Sequence, residues 1–270
     1  MKKICLMFVL FLSFVATITA QDADAIMQKV KDTMGGFGSG GSMGSRDTIV
    51  VTDKNGNKGA AMTIDQFSKE DANGNARTVV QFLAPPAQAK TRFLTKDNGK
   101  GGSDQWIYLP SLNKVRRIAS SESGGSFMGT DFSYDDMSIT SRDTDDDTKT
   151  KLADGTADGK ACFVVQSVPK DSDYQYQKML YFVGKDDSLV YKIELYKNSN
   201  DANATKIMEL SGYQADKGKD GTVHMTPHSM KISTVAAGTN TVITMNRVEY
   251  DMNIPEGVFD TDYLQTGRAR

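Results

Sequence analysis

From residue 47 to residue 252 the chain is a succession of short runs in which apolar and polar residues alternate, a period of two that predicts strands. Expected strands are 47–52, 59–67, 77–83, 89–95, 105–109, 114–118, 149–153, 161–168, 175–183, 189–196, 205–213, 223–233 and 241–252. Between them stand turn signals: DKNGN at 53–57, DANGN at 71–75, KDNGKGG at 96–102, ADGTADG at 153–159, GKDD at 184–187 and KGKDG at 217–221. Short Asn-Gly and Asp-Gly turns join antiparallel neighbours, because parallel strands need long crossovers. The missing helical stretches between strands argue against a Rossmann or barrel enzyme fold. Some strands, such as YKIELY at 191–196, have one apolar face, but RTVVQFL carries Val79 and Leu83 on one face and Val80 and Phe82 on the other. Such a sheet must be covered on both sides, close on itself, or face an apolar ligand.

Four segments break the strand pattern. DADAIMQKVKDTM, residues 22–34, spaces Ile26, Val30 and Met34 four apart, which predicts an amphipathic helix with Asp22 or Asp24 at its N-terminal end. The glycine and serine tract that follows, 35–45, predicts a flexible loop. TDFSYDDMS, 130–138, predicts a short helix capped by Asp131 or a tight loop. That segment and the closing IPEGVFDTDYLQTG are each suited to lie over an opening in the sheet.

The chain opens with Lys2 and Lys3, an apolar run from Ile4 to Ala16 and small residues up to Ala20, the layout of a secretory signal peptide cut after Ala20. Residues 21–270 are then expected to form a single exported domain, located in the periplasm. Of the two cysteines only Cys162 would remain, which closes no internal disulfide, and its apolar surroundings predict a buried small hydrophobe. The formal net charge of −2 gives no general attraction to nucleic acid, and loss of the two lysines makes it more acidic. Methionines recur in the strands (Met62, Met179, Met208, Met225, Met245) and suit either core filling or an adaptable apolar surface.

Little in the sequence reads as catalysis. His224 and His228 are four apart, but on a strand that is about 13 Å, too far to share one ion. The acidic run RDTDDD at 142–147 lacks the spacing of a calcium loop and reads as a solvated loop. The glycine tract has no GKS or GKT ending, and no GxSxG or CxxC is present. No cofactor, metal or enzymatic activity is expected.

The stretch WIYLPSLNKVRRIASSESGGSFMGTDFSYDDM, residues 106–137, resembles the most characteristic segment of the LolA-like outer membrane lipoprotein-sorting proteins, in particular their longer branch. The opening helix, FLAPPAQAKTRFLT and the closing EYDMNIPEGVFDTDYL follow the same order. The resemblance implies a strongly curved, unclosed antiparallel sheet, a half-barrel, with helices over its concave face and a hydrophobic cavity for acyl chains. It implies a carrier moving lipoproteins or other lipids toward the outer membrane, with an inner-membrane transporter and an outer-membrane acceptor as partners. A lipid-sensing regulatory module and a structural or adhesive envelope protein are the alternatives. On that picture Ile26, Val30, Met34, Trp106, Tyr108, Phe127, Met128, Phe132, Tyr134 and Met137 line the cavity or its lid. No residue here matches the functional arginine of the family's founding carrier.

Overall fold

A computed structural model describes residues 14–34, 41–98, 102–139, 144–145 and 147–269. Helix α1 (Phe14–Met34) is followed by β1 (Ser42–Thr52), β2 (Met62–Glu70), β3 (Ala76–Ala84), β4 (Arg92–Asp97), β5 (Ser103–Leu109) and β6 (Lys114–Ile118). After a long connection come β7 (Thr148–Lys151), β8 (Gly155–Ala157), β9 (Lys160–Val168), β10 (Lys178–Gly184), β11 (Val190–Tyr196), β12 (Lys206–Lys217), β13 (Val223–Thr234) and β14 (Thr239–Tyr250), then the short helix α2 (Thr261–Thr266). All strand pairings are antiparallel, in the order β6-β5-β4-β3-β2-β1-β14-β13-β12-β11-β10-β9-β7, with β8 beside β9.

Local chemistry explains the turns. In DKNGN the Asp53 carboxylate accepts from the backbone N–H of Asn55 and Asn57, both at 2.8 Å, and Gly56 takes φ +84°. DANGN repeats the device with Asp71, Asn73, Asn75 and Gly74 at φ +83°. The expected strands are all present. One more, β8, occupies the middle of ADGTADG, where a turn was expected. Another correction concerns β1, which begins at Ser42, inside the tract expected to be loop. Pairing to β2 and β14 on both sides holds these residues extended, and the end of the Met252 side chain fills the space beside Gly44. Residues 35–40 lie outside those described.

Laid flat, thirteen strands would span about 60 Å. Instead one continuous core joins Ile118 of β6 to Val165 of β9, with Ile49, Ile64, Phe82, Phe93, Ile193, Leu210 and Ile232 between. Only a strongly curled sheet brings both ends to one core, and β6 and β7 remain unpaired with each other. The edge strand β6 exposes Lys114, Arg116 and Arg117, charges that discourage pairing with another chain.

The inner core is roofed by α1, which packs against β7, β9 and β13 through buried Ala23, Met27 and Val30. The helix starts at Phe14, so Asp22 and Asp24 do not lie at its N-terminal end as expected; Asp24 instead pairs with buried Lys149 of β7 at 3.1 Å. Residues 1–13 of the expected signal lie outside the described residues, among which no helix is long and apolar enough to cross a membrane.

The outer face of β2–β6 carries a second core, covered by residues 252–264: Val79, Leu94 and Tyr108 meet Ile254, Val258, Phe259 and Leu264. Arg92 clasps this layer, its Nη1 donating to Leu264 O at 2.9 Å and its Nε to Gln81 Oε1 at 3.1 Å. Arg77 and Lys69 pair with Glu256 at 2.7 and 2.6 Å. Those hydrogen bonds, Arg77's first, hold the Glu256 carboxyl down to about 2. A depressed folded-state value stabilises fully above the ordinary glutamate range and is lost as pH falls toward 2. Glu256 is largely exposed, so Glu256→Gln is expected to lose less than about 1 kcal/mol at neutral pH and nothing near pH 2, as urea unfolding at both pH values would show. A third core, with buried Cys162, Val164, Phe182 and Tyr191, lies on β8–β11.

Candidate functional site

Strand alternation on the curled sheet defines the concave face. On the N-terminal half it presents Ile49 from β1, Met62 and Ile64 from β2, Val80 and Phe82 from β3, Phe93 from β4 and Ile107 from β5. One row further along β1–β5 reads Met43, Ser68, Thr78, Thr95 and Gln105, so a band of hydroxyls and an amide borders the apolar rows. On the other half Met179, Tyr181, Ile193, Leu195, Met208 and Leu210 continue the apolar lining.

Across this face runs the connection between β6 and β7. Residues 126–133 form a small hairpin, with a bridge between Ser126 and Ser133 and a tip at Met128 and Gly129, both at positive φ (52° and 79°). Its rings enter the core. Phe127 stands 5.1 Å from Phe93, 5.8 Å from Phe82 and 5.6 Å from Tyr134, measured between ring centroids. Phe127, Phe132 and Ile139 are buried, with Met128, Tyr134 and Met137 packed beside them.

Polar clasps hold this strap in place. Asp131 accepts from Thr234 (2.6 Å), Thr241 (2.8 Å) and Thr239, all around the β13–β14 turn, so it ties two distant parts of the chain rather than capping a helix. Asp135 accepts from Ser123 (2.7 Å) and Gln105 (3.1 Å), and burial pushes its carboxyl up. Asp136, with a fully buried side chain, accepts from Lys206 Nζ (2.7 Å), Tyr176 OH (2.9 Å) and the Ser133 N–H (2.8 Å). Burial first, and then Asp136, raises the Tyr176 phenol well above its ordinary range. The segment expected as a short helix or tight loop is thus a tight hairpin followed by one 3-10 turn, Asp136–Ser138.

Of the sequence-predicted residues, Val30, Phe127 and Phe132 lie in the inner core and Ile26, Met34, Met128, Tyr134 and Met137 pack against it. Trp106 and Tyr108 do not join them. They face the outer core under the C-terminal segment, because Ile107 between them takes the concave side. The residues that sequence reasoning missed are the strap's partners, Lys206, Tyr176 and the threonines; three aspartates inside an aromatic segment were the signal for them.

The histidines do not converge. His228 bonds Asp216 Oδ2 at 2.9 Å and Met245 O at 3.1 Å, while His224 stacks on Tyr250 with centroids 3.9 Å apart. Among the described residues no three His, Cys, Asp or Glu side chains are grouped to hold a metal ion.

Three solved structures share this architecture. A domain from Vibrio parahaemolyticus described as a candidate outer membrane lipoprotein-sorting protein is 23% identical, with TM-score 0.79, covering 91% of this chain and 99% of that one. A DUF1329 family protein from Desulfovibrio piger is 22% identical, with TM-score 0.77, covering 93% and 99%. A LolA superfamily protein from Nitrosomonas europaea is 19% identical, with TM-score 0.68, covering 89% and 98%. No curated protein matches the chain. The family model that matches, over residues 74–266, is described only as that of an uncharacterized protein. That match spans more than half of the sequence, so the chain belongs to this family, and its fold is that of the LolA-like lipoprotein-sorting proteins.

Proposed function

We propose that this protein is an exported, periplasmic carrier that holds the acyl chains of lipoproteins or other lipids against the concave face of its sheet, beneath the strap and α1. The observation that carries this reading is the apolar core shared by both halves of the curled sheet, into which the strap inserts Phe127 and Phe132 and where a few polar clasps tie it down. An acyl chain of sixteen carbons brings about fifteen methylene and methyl groups at roughly 0.8 kcal/mol each, about 12 kcal/mol in all. Displacing one strap aromatic costs about 1.5–3 kcal/mol. Measured against an acyl chain exposed to water, exchange of strap for lipid is therefore favourable even if Phe127 and Phe132 both leave. Ile26, Val30, Met34, Met128, Tyr134 and Met137 would complete the lining. Trp106 and Tyr108 have no part in it.

The work asked of such a protein is burial and release, which need no catalytic group. An inner-membrane donor and an outer-membrane acceptor are the partners this reading calls for, and residues 1–20 serve as its export signal. Native mass spectrometry of protein purified from a periplasmic fraction without detergent should show discrete adducts that release fatty-acyl species on organic extraction. A protein free of adducts that also refuses added phospholipid and lipoprotein would overturn the carrier reading in favour of a structural envelope role.

A further inference from the structure

Among the apolar rows of the concave face stands one carboxyl group without a cation. Asp47 follows Ser45 and precedes Ile49 on the inward-facing positions of β1, with Ile64 of β2 and Met245 of β14 as its cross-strand neighbours. It is 1% exposed. Its Oδ2 accepts from Ser45 Oγ at 3.0 Å, and its Oδ1 has no hydrogen-bond partner. The charged groups nearby are committed elsewhere. Asp65 of β2 forms two bonds with Arg46, at 2.7 and 2.9 Å, and His228 of β13 is bound to Asp216 of β12 and to the Met245 carbonyl.

A buried carboxylate with an orphaned oxygen is costly to a fold, because its lost hydration is not replaced. Burial, the leading cause, pushes the Asp47 carboxyl up to about 7, so the fold itself supplies no adequate counter-charge. Folds that merely need a small polar group here would be better served by the neutral amide. A carboxyl on an otherwise apolar wall is chemically useful when something enters that carries positive charge and N–H donors.

We infer that Asp47, with Ser45, is the head-group anchor of the concave site and takes the protonated primary amine of an amphiphile whose acyl chains lie on the neighbouring rows of Ile49, Ile64 and Phe82. This rests on the carrier reading and adds the class of its cargo. An ammonium group would restore the missing partner of Oδ1 through a charge-assisted bond. A quaternary ammonium brings charge without an N–H, and a phosphoglycerol head brings neither.

The test uses the mature protein and three dioleoyl phospholipids with ethanolamine, choline and glycerol heads, each presented in detergent-free vesicles, with retained lipid quantified after re-isolation. The unmodified protein is expected to retain the ethanolamine lipid most and the glycerol lipid least. Asp47→Asn keeps the shape and removes the charge. It should lose the ethanolamine preference by roughly tenfold or more, the scale of a hydrogen bond to a charged group. Its Tm should be no lower than that of the unmodified protein, which guards against loss of fold as the explanation. Lipid retained without head-group preference, or a preference unchanged in Asp47→Asn, overturns the anchor and leaves the carrier standing. No lipid retained by the unmodified protein overturns the anchor, and refusal of added lipoprotein as well overturns the carrier with it.

Discussion

Asp136→Ala is expected to lower the Tm by roughly 10 °C. The carboxylate it removes is the meeting point of the strap with the far half of the sheet: Lys206 from β12, Tyr176 from the approach to β10 and the strap's own Ser133 all donate to it. Lys206 is itself mostly buried, with 14% side-chain exposure, so the mutation leaves an ammonium without its partner away from water. Breaking a buried pair from one side costs about 3–5 kcal/mol. For a chain of this size each kcal/mol corresponds to about 2–4 °C. The double variant Asp136→Leu/Lys206→Met, which removes both charges, should recover most of the loss. Thermal unfolding followed by circular dichroism measures both, and a single-variant loss below about 1 kcal/mol would show that the clasp is not holding the strap. Limited proteolysis should cut between residues 119 and 139 faster in Asp136→Ala.

Phe259→Ala should be comparably destabilising, by about 3–5 kcal/mol. The ring is fully buried between the outer face of β3–β4 and the C-terminal segment, in the core of Val79, Leu94, Val258 and Leu264, and the Arg77 guanidinium lies 4.8 Å from its centroid. Truncation removes both the buried area and the surface on which Arg77 rests. The midpoint of urea unfolding should fall accordingly. Lipid retention below that midpoint should persist, because this core lies on the opposite side of the sheet from the strap. Lipid loss in folded Phe259→Ala, with stability unchanged, would mean that the outer layer contributes to binding rather than to folding.

The strands were legible because their signals are local. Alternation sets side-chain faces, and the paired Asp-x-Asn-Gly-Asn turns at 53–57 and 71–75 close their hairpins with bonds inside five residues. β8 was hidden because Gly-Thr-Ala has weak strand preference and sits between two Asp-Gly signals; its pairing with β9 decides the matter. The start of β1 was hidden for a related reason, since glycine and serine there are held by neighbours on both sides. Alternation separated Trp106 and Tyr108 from Ile107 correctly, yet it carried no information about which face curls inward. Both faces are apolar because the C-terminal segment covers one of them. The strap was recognisable as an interruption, but the threonine partners of Asp131 lie more than 100 residues away in sequence and Lys206, the cation paired with Asp136, is 70 away. Nothing local marks a carboxylate for a lysine on another strand.

The middle of the sheet joins the first strand to the last: Met43 of β1 faces Tyr250 of β14, and the pairing runs through Thr52 and Asn240. A ribosome making this chain therefore releases β1 long before its central neighbour exists. Until about residue 250 has emerged, the two halves of the sheet have no seam between them, and the concave core that needs both cannot close. Non-local pairing of this kind makes folding slow. For the export proposed above that delay is an advantage, because a chain whose seam has not closed is still an open strand that a membrane pore can thread.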